Sequence, residues 1–158
     1  MRVVVFSDSH GSFQPLYDIV EAQPGADLFI HLGDGLREFD DLRSLYPEKR
    51  LLAVRGNCDW TGDAKTEAVV GIGGVRIFFA HGHTLSVKRG AKTLLAHAKR
   101  HGAGIACFGH THCAHSSFVE GIYLLNPGSV SLPRCGGGPS YAVIDIRGAQ
   151  ISTGIKKL

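Results

Sequence analysis

The 158-residue chain has no uninterrupted apolar stretch of the roughly eighteen residues that a membrane-spanning helix requires. Its opening, MRVVVFSDSH, passes from a strand-like run directly into polar residues, without the apolar core and small-residue cleavage site of a secretion signal. The four cysteines, Cys58, Cys107, Cys113 and Cys135, lack the close pairing of a zinc ribbon or a redox CxxC motif. Together these absences lead to the expectation of a soluble chain in a reducing, cytoplasmic setting. A basic track is missing too. The net charge is only +3, and the tightest basic group is Lys88, Arg89 and Lys92, so no nucleic-acid surface is expected. With no internal repeat, low-complexity segment or linker, residues 1–158 are expected to form one domain.

Two residue types are plentiful instead: 21 glycines and nine histidines. Glycine lets the backbone turn sharply and approach ligands, and histidine is the commonest transition-metal ligand. Their placement follows the periodicity of the chain. The β-branched run 2–7 reads as a buried strand. A helix follows over 12–22, with Ser12 as N-cap and Pro15 in the first turn, then a strand over 27–32, a helix over 36–45 and a strand over 50–55. That order predicts parallel strands with helical crossovers. Further on, segments 68–71 and 75–80 flank Gly73-Gly74 as a hairpin, and 85–100 carries a helical pattern that Gly102 can end. Short strands follow at 104–108, 115–119, 122–125, 141–146 and 150–155, with a Pro- and Gly-rich loop over 126–139. The expectation is a mixed α/β sandwich: two sheets face to face, helices outside, and ligands collecting beyond the C-terminal strand ends.

Five strand ends carry ligand chemistry beside glycine: Asp8-Ser9-His10-Gly11, Gly33-Asp34-Gly35, Gly56-Asn57-Cys58-Asp59, His81-Gly82-His83 and Gly109-His110-Thr111-His112. Asp, Asn and Gly favour turns in any case, which accounts for any one of these groups. It does not account for histidine, and seven of the nine lie at or beside strand ends or in the strand that follows; His97 and His101, four apart on one helix, read as solvated surface. In Asp8-x-His10 and His110-x-His112, residues i and i+2 of an extended segment project to the same side. Mixed carboxylate, imidazole and amide donors suit Mn²⁺, Fe²⁺ or Zn²⁺ rather than Ca²⁺, and a structural zinc site would favour thiolates. Asp8, His10, Asp34, Asn57, His81, His110 and His112 are too many ligands for one ion and suffice for two.

This ordered set, from Asp8-x-His10 through Gly33-Asp34, Gly56-Asn57 and His81 to Gly109-His110-x-His112, resembles the signature of the calcineurin-like metallophosphoesterases. The short chain, Gly56-Asn57-Cys58-Asp59 and Asn126-Pro127-Gly128-Ser129 are similar to the small YfcE-like phosphodiesterases among them. The resemblance implies a four-layer α/β/β/α sandwich of two mixed sheets flanked by helices. It implies two divalent ions per chain, Mn²⁺ foremost with Ni²⁺, Zn²⁺ or Fe as alternatives. Asp8, His10, Asp34 and His112 would hold one and Asp34, Asn57, His81 and His110 the other, with Asp34 shared.

Where most of the superfamily has histidine after the Asn, this chain has Cys58, a poorer proton donor to a leaving group. His83 is the nearest spare imidazole for substrate contact or proton transfer, and Arg134 a candidate partner for a phosphate oxygen. Two divalent ions, less Asp8, Asp34 and a bridging hydroxide nucleophile, leave a formal charge of roughly +1, which a phosphodiester anion would neutralise. The expected function is therefore hydrolysis of small phosphodiesters, in a chain whose sheet edges could pair into a homodimer. The competing readings are a phosphomonoesterase or protein phosphatase on the same core, a nuclease, and a binding platform like the retromer scaffold subunit. That subunit has lost part of the ligand set, which is complete here.

Overall fold

The computed structural model describes residues 1–60 and 64–158. Ten strands form two five-stranded sheets. The first sheet has the order β10-β9-β1-β2-β3, built from β1 (Arg2–Phe6), β2 (Leu28–His31), β3 (Leu51–Ala53), β9 (Ser140–Arg147) and β10 (Gln150–Lys157). The second has the order β4-β5-β6-β8-β7, from β4 (Glu67–Ile72), β5 (Val75–Ala80), β6 (Ile105–Phe108), β7 (His115–Val119) and β8 (Ile122–Asn126). Both are mixed. Strands β1, β2 and β3 run parallel, as the alternating first half predicted, and so do β5, β6 and β8.

Strand side chains alternate between two apolar layers. Val3 and Val5 of β1 join Ile77, Phe79, Ile105 and Ile144 between the sheets. Val4 and Phe6 point the other way, under helix α1 (Gln14–Ala22) and helix α2 (Leu36–Leu45), through Leu16, Ile19, Phe39 and Leu42. On the far side, Phe78, Ala80, Ala106 and Phe108 pack against Leu94, Leu95 and Ala98 of helix α3 (Lys92–Arg100). Three apolar interfaces separate four layers, helix–sheet–sheet–helix. No helix among the described residues is long and apolar enough to cross a membrane.

Three details differ from the sequence reading. The helix over 85–100 is broken: short 3-10 turns at His83–Leu85 and Val87–Arg89 precede α3. Ser86 (φ 54°) and Gly90 (φ 133°) are left-handed, and a helix cannot run through such residues. Ser12 does not cap α1; Phe13 occupies that position without a side-chain hydrogen bond, and Pro15 sits in the first turn as predicted. Finally, Cys113 and Cys135 form a disulfide across 22 residues, a pairing that spacing could not reveal. The hairpin at Gly73-Gly74 is as predicted, both glycines supplying the positive φ that a tight two-residue turn requires.

Candidate metal centre

All six parallel strands deliver a loop to one edge of the sandwich, and the candidate residues come from five of those loops. Asp8 and His10 follow β1, Asp34 follows β2, Asn57 and Cys58 follow β3, His81 and His83 follow β5, and His110 and His112 follow β6. The loop after β8 braces them. Asn126 Nδ2 donates to Gly109 O and Thr111 Oγ1, each at 3.0 Å, while Ser129 Oγ and Ser131 Oγ donate to Asp8 O at 2.7 and 3.1 Å.

Three overlapping groups of donors gather. Ligand atoms of Asp8, His10 and His112 lie within 4.8 Å of one another, as do those of Asp34, His81 and His110, and those of His10, Asp34 and Cys58. Asp8 and Asp34 are used alike. Each commits one oxygen to a backbone N–H: Asp8 Oδ2 accepts from His110 N at 3.2 Å, and Asp34 Oδ1 from Cys58 N at 2.7 Å. The other oxygen faces imidazoles. Asp8 Oδ1 lies 3.3 Å from His112 Nε2, and Asp34 Oδ2 lies 3.4 Å from His81 Nε2. His10 Nε2 sits between the groups, 4.0 Å from Asp8 Oδ1 and 3.9 Å from Asp34 Oδ2.

The tautomers give these contacts their meaning. His112 Nδ1 donates to Leu132 O at 2.7 Å and His81 Nδ1 to Leu32 O at 2.8 Å. A carbonyl can only accept, so each Nδ1 holds a proton and a neutral ring presents a lone pair at Nε2. Those lone pairs point at carboxylate oxygens, acceptor against acceptor. Asn57 Oδ1 adds a third acceptor 3.2 Å from His81 Nε2, its amide nitrogen turned away toward Cys58 Sγ. Asp8 Oδ1 is fully buried and accepts no hydrogen bond despite its 3.3 Å approach to His112. Converging acceptors need a cation between them, a proton or a metal ion. No Lys or Arg among the described residues pairs with Asp8 or Asp34. The donor set thus fits divalent metal.

Protonation follows the same logic when protons are the cations. Burial alone would raise Asp34 and Asp8; the close approach and charge of His81 pull Asp34 below the usual carboxylate range, and the close approach of His112 with the charge of His81 does so for Asp8. His112 is raised by its contact with Asp8, and His81 is raised by Asp34 and Asp8 against its own burial. Burial and the neighbouring His81 and Lys88 charges push His110 down to about 4.

Backbone strain concentrates here. Asp8, His10, Asp34, His110 and His112 all have positive φ, between 45° and 67°, in a region that non-glycine residues rarely adopt. Close packing enforces it: a Cβ on Gly56 would fall 2.1 Å from Asp34 Oδ1 and 2.5 Å from Asp34 N.

The remaining predicted residues stand nearby. His83 is half-buried with its Nδ1 unpartnered, its ring 5.3 Å from that of His81 and 6.2 Å from that of His110. Cys58 is exposed, and its thiol is pushed up to about 11 by partial burial and the Asp34 carboxylate. Arg134 is exposed, with its backbone N donating to His112 O at 3.0 Å. His97 and His101 are not plain solvated surface: both rings lie against buried Phe78, and His97 Nδ1 is 3.0 Å from Glu67 Oε2.

Sequence reasoning missed two residues that organise the centre. The Asp59 carboxylate accepts from four backbone N–H groups, those of Asp34, Gly35, Leu36 and Gly56, at 2.8–2.9 Å. It ties the Asp34 loop to the Asn57 loop and fills the N-terminal end of α2. Buried Glu38 accepts from Ser9 Oγ at 3.0 Å and Gly11 N at 2.5 Å. Ser9 in turn contacts His31 Nε2 at 3.2 Å, and burial keeps His31 neutral at about 4. The signal for Asp59 was its place directly after Gly56-Asn57-Cys58.

Comparison with known proteins shows the family to which the chain belongs. A family model described as a calcineurin-like phosphoesterase superfamily domain matches residues 1–149. The chain belongs to that superfamily. The probable metallophosphoesterase YsnB of Bacillus subtilis is 36% identical over 148 residues, covering 92% of this chain and 85% of that protein. The phosphodiesterase YfcE of Escherichia coli is 30% identical over 171 residues, covering 92% and 88%. A predicted phosphoesterase from Streptococcus pneumoniae superposes with a TM-score of 0.88 at 26% identity, covering 99% of this chain and 88% of that one. Vps29 of Entamoeba histolytica shares the fold alone, with a TM-score of 0.78 at 24% identity, covering 100% and 98%. For a phosphoesterase of this superfamily, the converging acceptors are where metal would reside.

Proposed function

We propose that this calcineurin-like phosphoesterase hydrolyses phosphodiesters at a centre of two divalent metal ions. The observation that supports it most strongly is the pair of carboxylate oxygens, Asp8 Oδ1 and Asp34 Oδ2, each facing a histidine lone pair with His10 between them. Asp8, His10, Asp34 and His112 would hold one ion, and Asp34, Asn57, His81 and His110 the other, with Asp34 shared. Bound there, Mn²⁺ or a similar ion supplies hydroxide at neutral pH and Lewis acidity toward the phosphoryl oxygens.

The chain's own groups fit that work. Leu32 and Leu132 carbonyls hold His81 and His112 in the tautomer that presents Nε2. The Asn57 amide contributes an oxygen without charge, which keeps the formal charge of the loaded centre at roughly +1 and suits a diester anion. Burial and the Asp34 carboxylate push the Cys58 thiol up to about 11 in the metal-free chain, which disfavours it as a nucleophile there. The half-buried ring of His83, beside those of His81 and His110, is the spare imidazole that would contact a phosphoryl or leaving-group oxygen.

The YfcE relationship favours a diester over a monoester. The complete donor set favours an enzyme over a platform. The test is a matrix: metal-stripped protein with each of Mn²⁺, Ni²⁺, Zn²⁺ and Mg²⁺, against bis-p-nitrophenyl phosphate and p-nitrophenyl phosphate. Preferential turnover of the diester is expected. Faster monoester turnover would replace the reading with a phosphomonoesterase, and no turnover with any ion would leave only a binding role. Asn57→Ala with undiminished diesterase activity would remove Asn57 from the ligand set.

A further inference from the structure

Two clefts lie at the candidate centre, and they differ in lining. One, about 430 Å³, opens on the centre itself, with His10, Asp34 and Cys58 beside Asp59, Arg37 and the exposed Trp60. The other, about 510 Å³, runs beside Thr111, between the two histidines of the β6 loop. Its floor is apolar, from Val87, Ala91 and Phe108, and Lys88 and Arg134 stand on its rim. No Asp or Glu lines it.

Neither rim cation is spent elsewhere: Lys88 and Arg134 pair with no carboxylate among the described residues. Both are placed by rigid neighbours. Lys88 sits in a 3-10 turn entered through left-handed Ser86, with Val87 beneath it packed against Gly82. Arg134 is tied to the β6 loop by its N–H to His112 O and by the disulfide from the adjoining Cys135 to Cys113. Thr111, between His110 and His112, lines the cleft, and Arg134 N donates to His112 O at 3.0 Å, so the cleft adjoins the β6 loop that supplies a histidine to each donor group. Two cations that stand over an apolar cleft, with no carboxylate in its lining, suit an anionic group on a ligand seated there.

We propose that this cleft is a subsite for one ester arm of the substrate, and that this arm joins an apolar body to a second anionic group, as in a nucleoside carrying a further phosphate. The apolar body covers Val87, Ala91 and Phe108, and the second anion meets Lys88 and Arg134. The assignment rests on the phosphodiesterase reading for its reacting group, and on the cleft alone for its second anion.

The test uses two chromogenic diesters that differ by one phosphate: thymidine 5′-(p-nitrophenyl phosphate) and the same ester bearing a 3′-phosphate. With Mn²⁺ loaded, kcat/KM is expected to be about tenfold or more higher for the 3′-phosphorylated ester, through KM, as for a charge-assisted contact. That ratio should fall as salt rises, and collapse toward unity in the K88A/R134A double variant. Both side chains are exposed, and melting curves establish that the variant folds. Equal kcat/KM for the two esters, or a preference that survives in the double variant, would overturn the subsite. If neither ester were turned over, the hydrolase reading would fail by itself. The subsite would then be decided by calorimetry, tighter binding of thymidine 3′,5′-bisphosphate than of thymidine 5′-monophosphate supporting it and equal binding refuting it.

Discussion

Asp8, His10 and His112 on one side, and Asp34, Asn57, His81 and His110 on the other, draw on the same kinds of loop, yet they are held by different parts of the molecule. Around Asp34 the support is a dense set of hydrogen bonds. Cys58 N and the Asp59 carboxylate fix its two ends, and His81, with no exposed surface, leans on Leu32 O. Around Asp8 the supports come from the segment after β8, through Ser129, Ser131 and Leu132. Ser129 is buried, but from Leu132 onward the segment is largely exposed, and a disulfide fastens it. Among the described residues, His10 makes no side-chain hydrogen bond beyond its 3.2 Å contact with His112. A donor group closed by many hydrogen bonds is arranged before metal arrives, whereas one completed by an exposed loop must be ordered in part by the metal itself. The Asp34 group should therefore bind its ion first and more tightly.

Asp34→Asn breaks the comparison altogether, because Asp34 is the ligand that the two proposed ions would share. Turnover should fall by about a thousandfold or more, on the scale seen when a principal electrostatic group is removed. Metal content by plasma mass spectrometry should show both ions lost. Asp59→Asn sharpens the comparison. Removing the anion that gathers four N–H groups should weaken the tighter ion by about 10–100-fold and leave the other nearly unchanged. Two-step calorimetric titrations with Mn²⁺ would separate the steps, and equal weakening of both would show that the groups share their support.

The mirror-image experiment is reduction of Cys113–Cys135. Opening a loop of this length should cost about 3 kcal/mol of stability, read as a lower Tm in a dithiol reductant. It should weaken the Asp8–His10–His112 ion while sparing the other. Loss of the tighter ion instead would contradict the division.

pH separates the groups least and is the gentlest probe. In metal-free protein, His81 and His112 are raised above 6.5, so their contribution to stability is complete below 6.5 and is lost as pH climbs through their folded values. His31 and His110 are lowered to about 4, so theirs is complete above 6.5 and is lost as pH falls toward 4. The depressed carboxylates Asp8 and Asp34 deepen the loss at still lower pH. Tm of the stripped protein should peak near pH 6.5, and saturating Mn²⁺ should flatten or reverse the fall above it, since the ion displaces the protons on His81 and His112.

The donors themselves were legible in the sequence because histidine has no other reason to crowd strand ends. The layers were legible because Val3–Phe6 and the segments like it declare their burial by composition. What stayed hidden acts through groups without residue identity. Asp59 works through backbone N–H donors that every residue carries, and the disulfide joins positions that only the folded β6 and β8 loops bring together. The break at Ser86 was masked because the turns on either side keep Leu85 and Val87 buried, and so preserve a helix-like apolar spacing. Trp60, in the carboxylate-lined cleft and 90% exposed, gives no hint in the sequence of so open a position.

The left-handed backbone at Asp8, His10, Asp34, His110 and His112 has a consequence beyond catalysis. Each such residue burdens the fold by about 1–2 kcal/mol relative to a relaxed conformation, a burden glycine would largely lift. Glycine would relax that backbone only by giving up the bonds that Asp8, Asp34 and His112 make to His110 N, Cys58 N and Leu132 O. Strain and support are therefore carried by the same side chains, and neither can be removed by itself.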